Sequence, residues 1–508
     1  MKEKITNLDI LRLFAAISVF IYHSHWDLGC NYGNLNYFFS QSAFFMTLFF
    51  VLSGFVLYYS CSDKEFNDIN EIKCFLVKRI KTIFPLYFFI NIFYLLLYLN
   101  TEMETDILLD LITFPFQFTL LQCMGYYPYF LNTGLWFFSC IFICYLIFPF
   151  LTTIVKQLQT QHLIYLLLFI ILLCCSIPFI GMKYGVNVYS NGFVRIWDFG
   201  VGMIYAKLYL LYKNKITNKK LISLTTLFVC ISTFIIISYL KMYVEHVNIY
   251  QEYLKGISII FSGLLIFLFA LNKSKVLDTL GKSKLVQLGS AYSLEIWIAT
   301  PLATTICLPI FNILSDNCKP ILKILIAFFT DFVIAIILKQ YSILSQKLIS
   351  KITLKRYFIL ILCLFATIFI IKGYAQYNKP FSLDFKNSTI DTSGMVGIYH
   401  DEGEHAWITD NFEFKVSNKD YQKVVFTSNH VGIDTFALNI YINETYITKL
   451  EVIPGISKYE TEIPSELQDS DHFSIQMISD YSFIPADTFA QSSDTRELTL
   501  ALQYLALE

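Results

Sequence analysis

The chain has 508 residues, 56% of them hydrophobic and 15% charged, with a formal net charge of −1. A mean hydropathy of +0.55 marks an integral membrane protein whose average is diluted by a soluble portion. The charge balance argues against a nucleic-acid partner, and the length asks for more than one domain. The first apolar span, 7–27, reads NLDILRLFAAISVFIYHSHW over its first twenty residues. It carries Asp9, Arg12 and His23. Ionisable groups in a span face a protein interior or a wet cavity, because lipid exposure costs several kcal/mol. Arg12 and His23 are eleven residues apart, which returns them to within about 20° of one helix face, about 16 Å along the axis. Asp9 lies about one turn before Arg12, near the same face. Ala15 and Ala16 let a neighbouring helix approach closely. The alternative is an Arg12 that snorkels and a His23 in the opposite headgroup layer. No small-residue cleavage site follows this span, so a cleaved signal peptide is not expected.

Further spans of about 20 residues are predicted at 43–60, 82–99, 134–155, 162–180, 193–212, 221–240, 255–272, 285–308, 319–341 and 356–374. The stretch 107–123, with Pro115 and short apolar runs, reads as re-entrant or interfacial. Lys2 and Lys4 precede the first span. Lys64, Lys73, Lys78, Arg79 and Lys81 lie between the second and third. Lys213 to Lys220, Lys273 to Lys284, and Lys339 to Arg356 follow the sixth, eighth and tenth. All fall on one side, and the positive-inside rule makes that side cytoplasmic. The N-terminus is then inside and the chain beyond residue 376 outside. None of the twelve cysteines forms a C-x-x-C pair, so no zinc or redox motif is indicated, and most read as small apolar packing residues. The tail, 377–508, loses its long apolar runs. Alternation at 411–416, 423–428, 436–442, 446–452, 472–478 and 497–505 predicts antiparallel strands of a sandwich. Asn443-Glu444 is placed to turn a hairpin. The expected architecture is an all-α polytopic membrane bundle, 1–350, an additional transmembrane helix, 351–376, and an extracytoplasmic, jelly-roll-like all-β sandwich, 377–508.

Several short motifs follow one another in order. Leu8, Asp9 and Arg12 open the first helix, with His23 at its end. FFVLSGFVL (49–57) carries Ser53 and Gly54. FLVKRIKTIFPLY (75–87) is a basic entry to the third helix. GLWFFSCIFICYLIFPFL (134–151), RIWDFGVGM (195–203) and LGSAYSLEIWIATPL (288–302) mark the fourth, sixth and ninth. Together, over about 5–345, they resemble acyltransferase family 3, the integral-membrane acyltransferases of bacterial surface polysaccharides. The chain departs from that pattern at three places. Thr82 stands where a second Arg ends the basic motif, Ile141 where the fourth helix carries a Glu, and Ile298 or Thr300 where the ninth ends in a His.

The resemblance implies an O-acyltransferase of the bacterial cytoplasmic membrane, with acetyl-CoA or another acyl-CoA as donor and no metal. It implies a polysaccharide or lipid-linked glycan as acceptor, with membrane lipid around it. A sugar hydroxyl needs a base near pH 7, and imidazole has a suitable pKa. His23 is the expected base, with Asp9 and Arg12 completing the catalytic group. The donor's phosphates need cations, and Arg12, Lys78, Arg79 and Lys81 lie at the cytoplasmic end. Topology alone also accounts for the Lys78–Lys81 cluster. Ser53, Trp136, Ser139, Arg195, Asp198 and Glu295 are candidate substrate contacts. Arg195 and Asp198, at i and i+3, also suit a structural ion pair. Gly200 and Gly202 permit close helix packing beside them.

In the tail, GIYHDEGEHAW (397–407) and SDTRELTLAL (493–502) resemble β-sandwich modules attached to polysaccharide-modifying proteins. The matching residues are Gly397, Tyr399, Glu402, Trp407, Asp494, Arg496 and Leu498. Glu402 and Trp407 are the candidate sugar contacts. A buried Trp407 and an Arg496–acid pair inside the sandwich is the alternative. Two other functions stay open for the whole chain: a glycan or acyl-group transporter, and a non-catalytic glycan-binding membrane subunit.

Overall fold

The computed structural model describes residues 2–99, 116–124, 134–184, 187–247, 255–313 and 320–349, and in the tail 381–385, 395–399, 405–417, 421–432, 434–468, 472–488, 492 and 494–508. The chain packs as two compact units, Met1–Tyr357 and Phe358–Glu508. Among the described residues the first unit holds ten long helices: α1 (Asn7–Leu28), α2 (Ser42–Cys61), α3 (Ile69–Leu99), α4 (Trp136–Gln157), α5 (Thr160–Tyr184), α6 (Gly192–Tyr212), α7 (Lys219–Val247), α8 (Lys255–Leu271), α9 (Lys284–Ile313) and α10 (Pro320–Ile349). Each of the first ten predicted spans falls on one of them. The eleventh, 356–374, and the whole linking segment 351–376 lie outside the described residues. Six helices, α2, α4, α5, α7, α9 and α10, are long and apolar enough to cross a membrane. A seventh candidate is α8 with the short amphipathic helix Lys275–Lys282, bent from it by 96°. The remaining three, α1, α3 and α6, carry Asp9, Arg12 and His23, then Lys78, Arg79 and Lys81, then Arg195 and Asp198.

Small residues set the closest helix crossing. Gly54 of α2 faces Phe199 of α6 so tightly that a Cβ would overlap its carbonyl oxygen, and Gly202 of α6 faces the Val51 carbonyl in the same way. A Cβ on Gly200 would meet open space, so of the two glycines expected to let α6 pack, only Gly202 is used. Ala15 and Ala16 are fully buried where α1 packs on α2 and α9. By contrast α5, α7 and α10 turn Leu172, Phe228 and Phe329 outward, the apolar periphery that a lipid-facing helix needs.

Polar contacts gather where α1 begins. Lys2 pairs with Asp63 just after α2 (3.1 Å), and Asn7 donates to the Asn272 carbonyl just after α8 (2.6 Å). Asn272 in turn donates to Thr226 of α7 (3.0 Å). Lys207 of α6 donates to the carbonyls of Val155, Lys156 and Leu158 at the end of α4 (2.7, 2.7 and 2.6 Å), capping groups that no longer have a helical partner. The described end of the 107–123 stretch is buried and only briefly helical. Ser139 donates to the Leu120 carbonyl (2.8 Å) and accepts from the Cys123 amide (3.0 Å), and Tyr87 donates to the Gln117 carbonyl. Irregular backbone is tolerated inside a bundle when side chains satisfy it in this way.

In the second unit β1 (Ser382–Asp384), β2 (Met395–Tyr399), β3 (Ala406–Ser417), β4 (Lys423–His430), β5 (Phe436–Ile442), β6 (Thr445–Val452), β7 (Gly455–Glu462), β8 (His472–Ser479) and β9 (Leu500–Leu507) form one antiparallel sheet. Its order is β6-β5-β8-β3-β9-β4-β7, with β1 on β9 and β2 on β3. β3 makes the corner: residues 406–408 pair with β9 and residues 411–417 with β8. The sheet closes most of the way round a core that includes Phe412, Phe426, Ile440, Ile475 and Leu502, as a barrel-like sandwich. All six predicted strands are present. Asn443 and Glu444 both have positive φ (48° and 64°) between Ile442 and its partner Thr445, as a type I′ hairpin requires.

Candidate functional site

Two cavities open between α1, α3 and α9. The first, of about 370 Å³, is lined by Arg12, Ser53, Thr82, Tyr145 and Glu295, among others. Buried Asp9 holds its edge. Asp9 accepts from Ser290 (2.8 Å) and Gln287 (2.9 Å) of α9 and lies 2.7 Å from Lys4 and 3.5 Å from Arg12. One carboxylate therefore orients two cations and ties α1 to α9. Glu295 is paired across the wall with Lys339 of α10 (3.1 Å), which also donates to the Ala291 carbonyl (2.9 Å). Lys339 reads in sequence as one of the topology lysines at the end of the tenth span. It lies inside α10 because that helix continues to Ile349.

Arg79 stacks its guanidinium 5.3 Å from the Phe75 ring and 5.5 Å from the ring of Tyr145, a cavity wall residue. Its Nε is buried without a hydrogen-bond partner among the described residues. Lys78 is exposed and Lys81 half-buried, and neither lines the cavity. The predicted basic cluster thus divides, with Arg79 turned inward and its neighbours left at the surface.

The second cavity, of about 330 Å³, is lined by His23, Asp27, Tyr94, Pro301, Thr304 and Thr305, with Leu308. His23 Nδ1 lies 3.1 Å from Asp27 Oδ2. His25 does not join it; its Nδ1 lies 2.6 Å from the Cys30 carbonyl oxygen. The sequence places Arg12 and His23 on one helix face, and the structure puts them in separate chambers. The partition is thin. On α9, Trp297 lines the first cavity and Pro301 the second, four residues or about 6 Å apart. Pro301 has no amide to give, so the Trp297 carbonyl loses its intrahelical donor at the partition. Thr300 lies between them and meets Asp331 of α10 at 3.2 Å. Thr300 occupies one of the two places where a histidine is expected. Ile298, at the other, is buried, and Ile141 lines the first cavity in place of a glutamate.

The other candidates lie elsewhere. Asp198 is fully buried between Arg195 (2.8 Å) and Lys255 of α8 (2.9 Å). Arg195 also donates to Thr47 (3.1 Å) and the Tyr189 carbonyl (2.8 Å), and its guanidinium lies 5.4 Å from the Trp136 ring. Asn191 caps α6 just before this pair by accepting from the amides of Phe193 and Val194. Trp136 and Ser139 therefore do not line either cavity: the first packs on Arg195, and the second holds the 116–124 segment. In the tail, Trp407 packs edge-on against His405 and Phe483 and pairs in register with Tyr399. Arg496 lies 5.1 Å from the Tyr399 ring and 2.7 Å from Asp494. The two halves of the tail motif thus meet. Glu402 lies outside the described residues.

Sequence reasoning misses Asp27, Lys255, Lys339 and Asp331. Asp27 leaves a local signal, four residues after His23 on a helix, and so does Asp331, a carboxylate inside the predicted tenth span. A family model described as an acyltransferase domain matches residues 5–340. No curated protein and no solved structure matches the chain.

Proposed function

Because this multi-pass membrane chain belongs to the acyltransferase family whose model covers residues 5–340, we propose that it is an O-acyltransferase acting across a bacterial cytoplasmic membrane. The donor is cytoplasmic acyl-CoA, acetyl-CoA in the first instance, and the acceptor is a hydroxyl of an exported or cell-envelope glycan. The observation that carries this reading is the pair of chambers on shared helices, with Arg12 in one, His23 in the other, and one turn of α9 between them.

Arg12, with Arg79 behind Tyr145, supplies cations for the donor's phosphates at the N-terminal end of α1. The pantetheine arm is of the same order of length as the roughly 16 Å from Arg12 to His23. It would carry the thioester past Trp297 and Pro301 to the second chamber. There His23 takes the proton of the acceptor hydroxyl as its oxygen attacks the thioester carbonyl. A C–O bond forms, the C–S bond breaks, and the thiolate leaves to receive the proton from His23. On this reading the N-terminus is cytoplasmic and the tail extracytoplasmic.

The test is mass spectrometry of the cell's glycans with and without the gene, and with His23→Ala or His25→Ala. His23→Ala should lower acylation about 10²–10⁴-fold, at normal protein level and with acyl-CoA binding intact. His25→Ala, whose ring ties down the helix end, should retain most of it. Full acylation by His23→Ala sinks the base assignment. No acyl difference between cells with and without the gene sinks the transferase reading and favours a transporter on the same bundle.

A further inference from the structure

We propose that Asp27 is the positioning residue of His23, and that it fixes the imidazole with its proton on Nδ1 and its lone pair on Nε2, facing the acceptor. The inference deepens the reading of His23 as base and rests on it for its catalytic consequence, though not for its geometry.

The last turn of α1 divides its polar side chains between two tasks. Ser24 and His25 tie down the chain that follows. The Cys30 amide donates to the Ser24 carbonyl (3.1 Å), the Ser24 hydroxyl bonds the Tyr32 hydroxyl (2.6 Å), and the His25 ring holds the Cys30 carbonyl. Gly29, at φ 66°, turns the backbone out of the helix, a conformation that glycine adopts without steric cost. His23 and Asp27 are the two polar side chains of this turn that line the cavity. Their i, i+4 spacing on a closed helix turn sets the 3.1 Å approach of Nδ1 to the carboxylate.

A carboxylate only accepts, so at a pH where the ring is neutral the proton between them belongs to Nδ1. Nε2 then carries the lone pair. Among the described residues Nε2 has no hydrogen-bond partner, so it is the ring nitrogen left for a ligand. The geometry does two things for proton transfer. It holds one tautomer, and it places a negative charge beside the imidazolium that forms when the acceptor hydroxyl gives up its proton. The remaining polar lining, Tyr94, Thr304 and Thr305, is uncharged, so among the described lining residues Asp27 is the one carboxylate able to do this.

The experiment uses the full chain in lipid bilayers with ¹⁵N-labelled histidine. Solid-state NMR is recorded at about pH 8.5, well above the ordinary histidine range near 6.5. The difference between wild type and His23→Gln isolates the His23 nitrogens. Nδ1 should be protonated and Nε2 bare. In Asp27→Asn the side-chain amide donates to Nδ1 and the proton moves to Nε2, while Asp27→Glu keeps the wild-type pattern. A His23 proton on Nε2 in wild type, or an unchanged pattern in Asp27→Asn, overturns the proposal. Glycan acylation is then measured for the same variants. Asp27→Asn should lose about 10²–10⁴-fold in turnover with unchanged dependence on acyl-CoA concentration, and Asp27→Glu should recover part of it. An Asp27-dependent tautomer in a protein whose His23→Gln variant acylates normally supports the positioning and sinks the base reading, so the two failures are distinct.

Discussion

Glu295 Oε1 lies 3.1 Å from Lys339 Nζ, and this ion pair joins α9 to α10 in the wall of the Arg12 cavity. The Glu295 side chain is 3% exposed, and its other oxygen has no partner among the described residues. Removing the cation from such a pair strands a buried charge, which costs about 3–5 kcal/mol. Lys339→Met should therefore lower the thermal stability of the purified protein sharply. Lys339→Met with Glu295→Leu should be milder than the single variant, because no charge is left unpaired. Equal losses in single and double variants would show that the pair is not coupled.

Gly54 and Gly202 should tolerate no side chain. A methyl group at either overlaps a backbone carbonyl of the facing helix, which no rotamer change relieves. Forced helix separation of this kind costs about 1–3 kcal/mol. Gly200→Ala is the control, since it points into open space. Thermal unfolding in detergent should rank Gly200→Ala near wild type and the other two below it.

Arg79→Ala tests the cation behind Tyr145. A hydrogen bond to a charged group contributes about 1.5–3 kcal/mol, so acyl-CoA binding should weaken about tenfold or more. Lys78→Ala, on the exposed side of α3, should change it little. Isothermal titration with acetyl-CoA separates the two, and equal affinities would favour a purely topological role for the whole cluster.

Glu444→Gly should stabilise the β5–β6 hairpin. A left-handed residue costs roughly 1–2 kcal/mol, and glycine's extra freedom when unfolded returns only about 0.5–1. Strain relief wins, with a net gain of about 0.5–1 kcal/mol. Hydrogen exchange at the β5 and β6 amides of the full chain should slow. Faster exchange would mean that Glu444 makes a compensating contact.

Asp494 gives the tail an acid-sensitive latch. Its hydrogen bonds from Arg496 hold its pKa below the ordinary carboxylate value. The folded pKa is depressed, so the stabilisation is complete above about pH 3.9 and fades as pH falls through the lower folded value. Protection of the Phe483 and Leu498 amides, which bond each other's carbonyls at 2.8 and 2.9 Å, should fall over that range. Asp494→Asn should flatten this dependence, and an unaltered profile would detach the latch from Asp494.

Apolar runs of about 20 residues point to all ten helices in sequence, although only six, or seven with the bent α8 pair, are apolar enough to be read as spans without regard to what they pack against. The strands that alternation finds are those with one face in the core: β5 buries every second residue from Phe436 to Ile442. β7 escapes because it is an edge strand, reading GISKYETE and burying only Thr461. β2 escapes because a register shift between Val396 and Ile398 breaks its period. In the site, residues on one helix are legible and residues from different helices are not. Asp9, Arg12 and His23 declare themselves by their cost in a span. Lys339 looks like a topology signal, and Lys255 like an ordinary helix-end lysine, until tertiary packing brings Glu295 and Asp198 to them.

The Arg195–Asp198 pair also bears on how the chain is inserted as it is made. The two lie three residues apart on α6, so α6 carries its own counter-charge when it leaves the translocation machinery as a single helix. It enters lipid without a net charge at that level. Lys255 is the first residue of α8, where its ammonium reaches the interface until α8 docks. The buried cluster is thus completed in two steps, and neither requires an isolated charge to wait in the middle of the bilayer.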